Sequence, residues 1–267
     1  VIEAIPSIGF VHRGLEKLVE KKDFNDYVYV AERICGICSF IHGMGYCSAV
    51  EKIMGVEIPR RADYLRTIWA EMSRIHSHLL WLGLTADAFG FESLFMQSWR
   101  LREKILDMFE MTTGGRVIFS VNKIGGVKRD IDADTLKLFV GIFDDMNKEL
   151  TALTNAFLSD RSVFSRLKDV GILSKEKAHE LGAVGPMMRA SGIKIDTRKL
   201  GYAAYNDVDF EPIIDTTGDS YARTEVRIKE LFQSIDIIRQ LAGKVPDTEI
   251  STAVKGFPDG EYFMRAE

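Results

Sequence analysis

Two cysteines and a histidine lie close together in the first fifth of the chain. Cys35 and Cys38 are separated by two residues, and His42 follows Cys38 by four positions. Two thiols at this spacing can chelate one metal ion, form a redox disulfide or pack as small apolar side chains in a core. A third cysteine, Cys47, follows in the same segment. These residues are the first candidates for chemistry.

Each alternative makes a different demand on the surrounding chain. Cys35, Cys38, His42 and Cys47 together could form a closed tetrahedral zinc site. On a helix, however, His42 and Cys47 would lie about 140° apart around the axis, so one ion could reach both only if the helix broke. A thioredoxin-like site would need strands that alternate with helices, which the rest of the sequence does not predict. An odd number of cysteines also argues against a disulfide framework.

Long helices must position these residues. Apolar side chains recur at three- and four-residue spacing and predict helices at 40–54, 61–84, 93–113, 132–159 and 221–241. Segment 24–33 fits a helix or a strand, and 185–218 is irregular. The runs 2–5 and 262–267 have strand-like composition. We therefore expect a mainly α fold, a bundle of long helices with minor β structure from the terminal segments, in one domain spanning 1–267.

Composition excludes some classes of function. The 267 residues include 35 Lys and Arg against 39 Asp and Glu, so the charge gives no reason to expect nucleic acid as a partner. No stretch approaches the roughly 20 apolar residues that cross a bilayer, and no leader sequence opens the chain. We expect a cytoplasmic protein without a direct membrane span, which would reach a membrane only through partner proteins.

The segment Arg33–His42, Arg-Ile-Cys-Gly-Ile-Cys-x-x-x-His, resembles the first metal-binding signature of nickel-iron hydrogenase large subunits. Further blocks are similar to stretches shared by the group 4, energy-converting or membrane-bound hydrogenases and the homologous 49 kDa, quinone-site subunit of respiratory complex I: 12–17, 49–52, 77–83, 102–105, 125–130 and 219–223. Complex I subunits resemble this chain but have lost the paired thiolates. Cys35 and Cys38 therefore favour the hydrogenase branch.

The resemblance implies a role for each candidate. In the family, four thiolates from two CxxC motifs hold nickel, and two of them bridge to an iron with diatomic ligands. Cys35 would be a terminal nickel ligand, Cys38 a bridging ligand, and His42 a hydrogen-bond donor to the bridging sulfur. Glu16 would exchange a proton with a cysteine sulfur. The competing interpretation of Glu16 is an ordinary salt bridge, to Arg13 or Lys17.

The family's second CxxC has no counterpart in this sequence, so the resemblance implies either a truncated chain or ligands supplied by a separate chain. Because the start also lacks the family's first strands, we expect a chain truncated at both ends, lacking the C-terminal CxxC segment and inactive alone. The implied function is reversible H2 oxidation, with electrons passed to an iron-sulfur small subunit within a membrane-bound hydrogenase complex. The alternatives are a complex I-like NADH-quinone oxidoreductase subunit with a quinone site and no metal, and a zinc-stabilised binding or assembly module. An exposed apolar face is expected beside the Cys35 to His42 loop.

Other polar residues have simpler interpretations. His76 lies on the apolar stripe of its helix and is expected to pack in the core, as is Cys47. Glu71, Arg74 and His78 share the opposite side of that helix, which predicts a solvated or interface face. The charged run 100–104 is typical of a solvated helix surface.

Overall fold

The computed structural model describes residues 2–267, and its long helices account for most of the fold. The helices are α1 Leu15–Val19, α2 Tyr27–Ala31, α3 Ser39–Met54, α4 Arg60–Ala88, α5 Glu92–Thr113, α6 Ala133–Ser159, α7 Arg161–Leu167, α8 Lys175–Glu180, α9 Gly185–Arg189 and α10 Ser220–Ala242. Two 3-10 turns, Thr197–Leu200 and Tyr205–Asp207, precede α10. Strands β1 Asn122–Lys123 and β2 Gly126–Val127 form an antiparallel hairpin.

Helix α4 is the centre of the bundle. It packs against α5 and α10, and α6 covers the other side of those two helices. Leu65 and Trp69 of α4 are fully buried in one continuous apolar core with Phe109 of α5, Phe143 of α6 and Ile235 of α10. Because α4 has neighbours on several sides, polar residues on more than one of its faces are buried.

Local sequence signals set the ends of the long helices. The side chains of Asp132 and Asp219 accept hydrogen bonds from the first-turn amides of α6 and α10. Gly55 and Gly114 end α3 and α5 with φ of 63° and 81°, a left-handed conformation that glycine adopts without steric cost.

An ion pair fastens the hairpin beside α3 and α4. The buried guanidinium of Arg66 donates to both carboxylate oxygens of Glu51, at 2.8 and 2.7 Å, and to the carbonyls of Lys123 and Gly126. Glu51 also accepts from the amide of Gly125 at 2.8 Å. The bidentate geometry fixes the orientation of both partners.

The prediction of a mainly α fold is confirmed, and the five predicted long helices are present with ends shifted by at most a few residues. Segment 24–33 contains the short helix α2. The minor β structure, however, lies at 122–127 and in a bridge between Gly126 and Ser251 rather than in the terminal segments. The expectation of terminal strands was wrong, because 2–5 and 262–267 have no strand partner within the described residues. Alternating composition alone does not supply the backbone pairing that a strand needs.

Candidate functional site

The CxxC loop connects α2 to α3. Cys35 lies in the loop, Cys38 is the N-cap of α3, and His42 lies in the first turns of that helix. One donor atom from each of the three side chains lies within 4.8 Å of the others. All three side chains are half-buried, so the cluster can be reached from solvent. The structure thus brings together three residues that the sequence selected.

Contacts at both ends hold the loop. The Arg13 guanidinium donates to the carbonyl of Arg33, and the Ser39 hydroxyl donates to the carbonyl of Val117 at 2.7 Å. The apolar residues Ile34 and Val117 beside the loop are each 47% exposed, and the expectation of a larger exposed apolar face stays a prediction.

The two thiols differ in their electrostatic surroundings. Partial burial opposes ionisation of Cys35, but its Sγ accepts from the Cys38 thiol and from the amides of Ile37 and Cys38, both at 3.4 Å, which holds the pKa of Cys35 below its ordinary value. Burial, together with the hydrogen bond to and charge on Cys35, raises the pKa of Cys38 to about 12. Cys35 is therefore the thiol of the pair that ionises more readily, and a soft cation would bind with loss of the protons from both sulfurs.

His42 adds a nitrogen donor to this pair. Burial lowers its pKa below the ordinary value, which favours the neutral imidazole. A neutral ring can ligate a metal through one nitrogen or donate a hydrogen bond to a sulfur.

Cys47 is separate from this group. Its side chain is fully buried in a small apolar cluster with Val28, Val50 and Ile124, and burial raises its pKa to about 12. The expectation that Cys47 is a core residue is confirmed. The alternative of a zinc site completed by Cys47 is wrong, because Cys47 lies outside the convergent group formed by Cys35, Cys38 and His42.

Glu16 lies on α1 at the surface. Its side chain is 82% exposed, and its carboxylate is 3.6 Å from Nε2 of His12. The expected salt bridge to Arg13 or Lys17 is replaced by this contact, since Lys17 pairs with Glu20 instead. The role of Glu16 in proton transfer stays a prediction.

A second polar cluster occupies the interior between α4 and α10. Glu71 is fully buried, Arg74 and His78 are buried, and His78 Nε2 is 2.7 Å from the Glu230 carboxylate. The expectation that this face of α4 is solvated was wrong, because the face packs against α10 and against 189–205. Further members of the cluster are Arg189, Asp196, Arg198 and Glu267.

His76 contacts the CxxC loop, and Arg102 contacts His76; the sequence pattern connected neither residue to the loop. His76 is fully buried, as expected, and its Nε2 is 3.2 Å from the Ile37 carbonyl, while Nδ1 is 2.9 Å from Nε of Arg102. Arg102 is itself buried, so the charged run 100–104 is solvated only in part.

Glu32, which directly precedes the loop, was also missed. It is fully buried, one carboxylate oxygen accepts from the amide and hydroxyl of Ser120, and burial raises its pKa. The sequence signal that could have pointed to Glu32 is the position of a charged residue next to the cysteine motif.

Comparison with known proteins divides the chain into two parts. Residues 88–262 match the family "Respiratory-chain NADH dehydrogenase, 49 Kd subunit", and residues 13–85 match "Nickel-dependent hydrogenase". The CxxC loop lies in the second match, and α5 to α10 lie in the first. The chain therefore belongs to the 49 kDa subunit family of respiratory-chain NADH dehydrogenases, and its residues 13–85 are similar to nickel-dependent hydrogenases.

Relatives come from both branches. The chain is 37% identical to the alpha subunit of the membrane-bound hydrogenase of Pyrococcus furiosus, over 96% of this chain and 62% of the relative. It is 36% identical to an NADH-quinone oxidoreductase subunit of Chloroherpeton thalassium, over 97% of this chain and 59% of the relative. It is 34% identical to an F(420)H(2) dehydrogenase subunit of Methanosarcina mazei, over 100% of this chain and 74% of the relative. The relatives are oxidoreductase subunits, and the chain spans about three fifths of the length of the first two.

Among residues 2–267, no helix combines the length and the apolar character needed to cross a bilayer.

Proposed function

We propose that this chain is part of the catalytic large subunit of a nickel-iron hydrogenase and that residues 1–267 form one domain of it. The observation that carries the proposal is the convergence of Cys35, Cys38 and His42 within 4.8 Å at a half-exposed loop. The relative from Pyrococcus furiosus belongs to a membrane-bound hydrogenase. Two soft thiolates and an imidazole suit nickel.

The donor set fits half of a nickel-iron centre. Cys35 and Cys38 would hold the nickel through their sulfurs, and His42 would donate a hydrogen bond to the sulfur of Cys38. Two further thiolates would have to come from outside these 267 residues, because Cys47 is buried elsewhere. When bound, the centre would supply reversible heterolytic H2 cleavage. The chain's own contribution is to hold the sulfurs and to accept a proton, for which we propose Cys35 and the exposed carboxylate of Glu16.

The proposal includes an assembly. An iron-sulfur small subunit would accept electrons at the face carrying Ile34 and Val117, and other subunits would attach the complex to the cytoplasmic side of the cell membrane. The exposed apolar side chains beside the loop support this placement. They are the surface expected to be covered by a partner.

Metal content tests the proposal. In the assembled complex, the wild-type protein should hold nickel and iron, Cys35→Ser and Cys38→Ser should lose most of the nickel, and Cys47→Ser should keep it. Elemental analysis measures the nickel and iron content of the wild-type complex and of each variant. A wild-type complex free of nickel would overturn the proposal.

A quinone-site subunit without metal is the second candidate. It is favoured by the longer of the two family matches and by the quinone oxidoreductase relatives. A nickel-free complex that reduces quinone, and whose turnover is unchanged in Cys35→Ser, would support it.

Glu16 needs a separate measurement. Glu16→Gln in the complete enzyme should retain nickel and iron but slow hydrogen-deuterium exchange of H2, because the amide keeps the shape and loses the titrating proton. Unchanged exchange in the fully metallated variant would remove Glu16 from the proton path.

A further inference from the structure

A chain of two hydrogen bonds runs from α5 through α4 to the peptide between the two loop cysteines. Arg102 Nε lies 2.9 Å from His76 Nδ1, and His76 Nε2 lies 3.2 Å from the carbonyl oxygen of Ile37. His76 is fully buried and Arg102 is 7% exposed. Water therefore does not compete for these contacts.

The partners define which nitrogen of His76 carries the proton. The Nε of an arginine always bears a hydrogen and cannot accept, so Nδ1 of His76 must be the acceptor. A neutral imidazole with an unprotonated Nδ1 has its hydrogen on Nε2. That hydrogen is then donated to the Ile37 carbonyl. Arg102 thus selects the tautomer that can hold the loop.

The Ile37 carbonyl shares one rigid plane with the amide of Cys38. In a trans peptide the C=O and the following N–H point in opposite directions, and the described peptides are all trans. The Cys38 amide lies 3.4 Å from Cys35 Sγ. A carbonyl held towards α4 therefore directs the Cys38 amide at the Cys35 sulfur.

We propose that His76 is a positioning residue of the CxxC site, which fixes the peptide plane between Cys35 and Cys38 while Arg102 fixes the tautomer of His76. The use made of the Cys35 sulfur rests on the proposed function, but the positioning itself does not. Without His76, the plane could rotate and the Cys38 amide would no longer face the sulfur.

Amide hydrogen exchange of the metal-free 267-residue chain tests the positioning directly. In a peptide that contains 35–38, His76→Leu should speed exchange about tenfold, the effect of losing roughly one hydrogen bond. His76→Gln, whose amide can donate from nearly the position of Nε2, should restore most of the protection. His179→Leu, which removes an exposed histidine from α8, should change nothing.

Cobalt(II) provides a second readout through its thiolate charge-transfer absorption. His76→Leu should weaken cobalt binding by about 10- to 100-fold, the usual cost of losing support behind a metal ligand, and His76→Gln should recover it. If His76→Leu loses its helical circular dichroism, Arg102→Met decides the same question, because it removes the donor that selects the tautomer.

The outcomes distinguish the positioning role of His76 from the proposed metal site. Wild-type levels of exchange and of cobalt affinity in a folded His76→Leu, or in Arg102→Met where His76→Leu does not fold, would overturn the inference. Failure of His76→Gln to improve on His76→Leu would also overturn it, since the role would then be packing alone. A wild-type chain that binds no cobalt, but shows the expected exchange pattern, would count against the proposed metal site and leave the positioning role supported.

Discussion

Helix α4 has a polar cluster on each of two faces, and α4 contributes charged side chains to one cluster and a neutral imidazole to the other. Towards α10 it presents Glu71 and Arg74, full charges paired with buried partners. Towards the CxxC loop it presents His76, a neutral ring that contacts a carbonyl and a buried arginine. The first cluster leaves its charges matched inside the protein, while the second supports sulfurs that remain half-exposed.

The charged cluster illustrates why matched burial stabilises position. Burial alone would raise the pKa of Glu71, but Arg74 and Arg198, with hydrogen bonds from Ser234 and Tyr205, hold it below its ordinary value. A carboxylate with this many donors stays ionised and fixes α4 against α10 and the 198–205 segment. Its partners lie as far as 163 residues away in sequence, so it joins distant parts of the chain.

Removing one charge from this cluster should produce the largest effect. We expect Glu71→Gln to lower the free energy of unfolding by about 3–5 kcal/mol, because Arg74 and Arg198 would each stay buried and lose one of their carboxylate partners. Urea denaturation measures the change. Glu225→Gln, in a half-exposed pair with Lys229 on α10, is the matched control and should cost less than about 0.5 kcal/mol. Similar losses in both variants would mean that burial does not distinguish the cluster.

The neutral support of the CxxC loop should show itself in acid. Burial, followed by the charge of Arg102, lowers the pKa of His76 to about 4, whereas an unfolded histidine titrates near 6.5. Below pH 6.5 the unfolded chain therefore gains a proton that the folded chain refuses until about pH 4. Stability is lost as the pH falls through this window, on the order of 3 kcal/mol in total.

His76→Gln removes this contribution. The free energy of unfolding, measured by urea at pH 7 and at pH 4.5, should fall less for His76→Gln than for the wild-type chain. His179→Gln, at an exposed position, should follow the wild-type chain. Parallel pH dependence of the wild-type chain and His76→Gln would show that His76 gains its proton in the fold as readily as in the unfolded chain, against the buried neutral ring assigned above.

The sequence could predict the features that depend on local spacing, and it could not predict contacts between distant parts of the chain. The periodicity of α4, α5, α6 and α10 located those helices, because apolar spacing is a local property. Cys35, Cys38 and His42 were found because their spacing is local as well. The burial of His78 was not predictable, since its partner Glu230 lies 152 residues away and nothing near His78 signals it. The contact of His76 with Ile37 likewise depends on how α4 packs under the loop.

The smallest effect concerns the packing of Glu32 against α3. A Cβ added at Gly43 would lie 2.7 Å from Oε1 and 2.8 Å from Cγ of Glu32. Glu32 cannot move away freely, because it is fully buried and bonded to Ser120. We expect Gly43→Ala to lower the free energy of unfolding by about 1–3 kcal/mol, the usual cost of overpacking.

Gly45 lies two residues further along the same helix and is the natural control. A Cβ there meets no atom within 4 Å, so Gly45→Ala should instead stabilise the helix by about 0.5–1 kcal/mol. Urea denaturation of both variants gives opposite signs if Glu32 is held rigidly. Glu32→Ala in combination with Gly43→Ala should cost less than the sum of the two single changes, because removing the Glu32 side chain relieves the clash that the methyl added at position 43 creates. Additive losses would mean that the Glu32 side chain is free to turn aside from the methyl added at position 43.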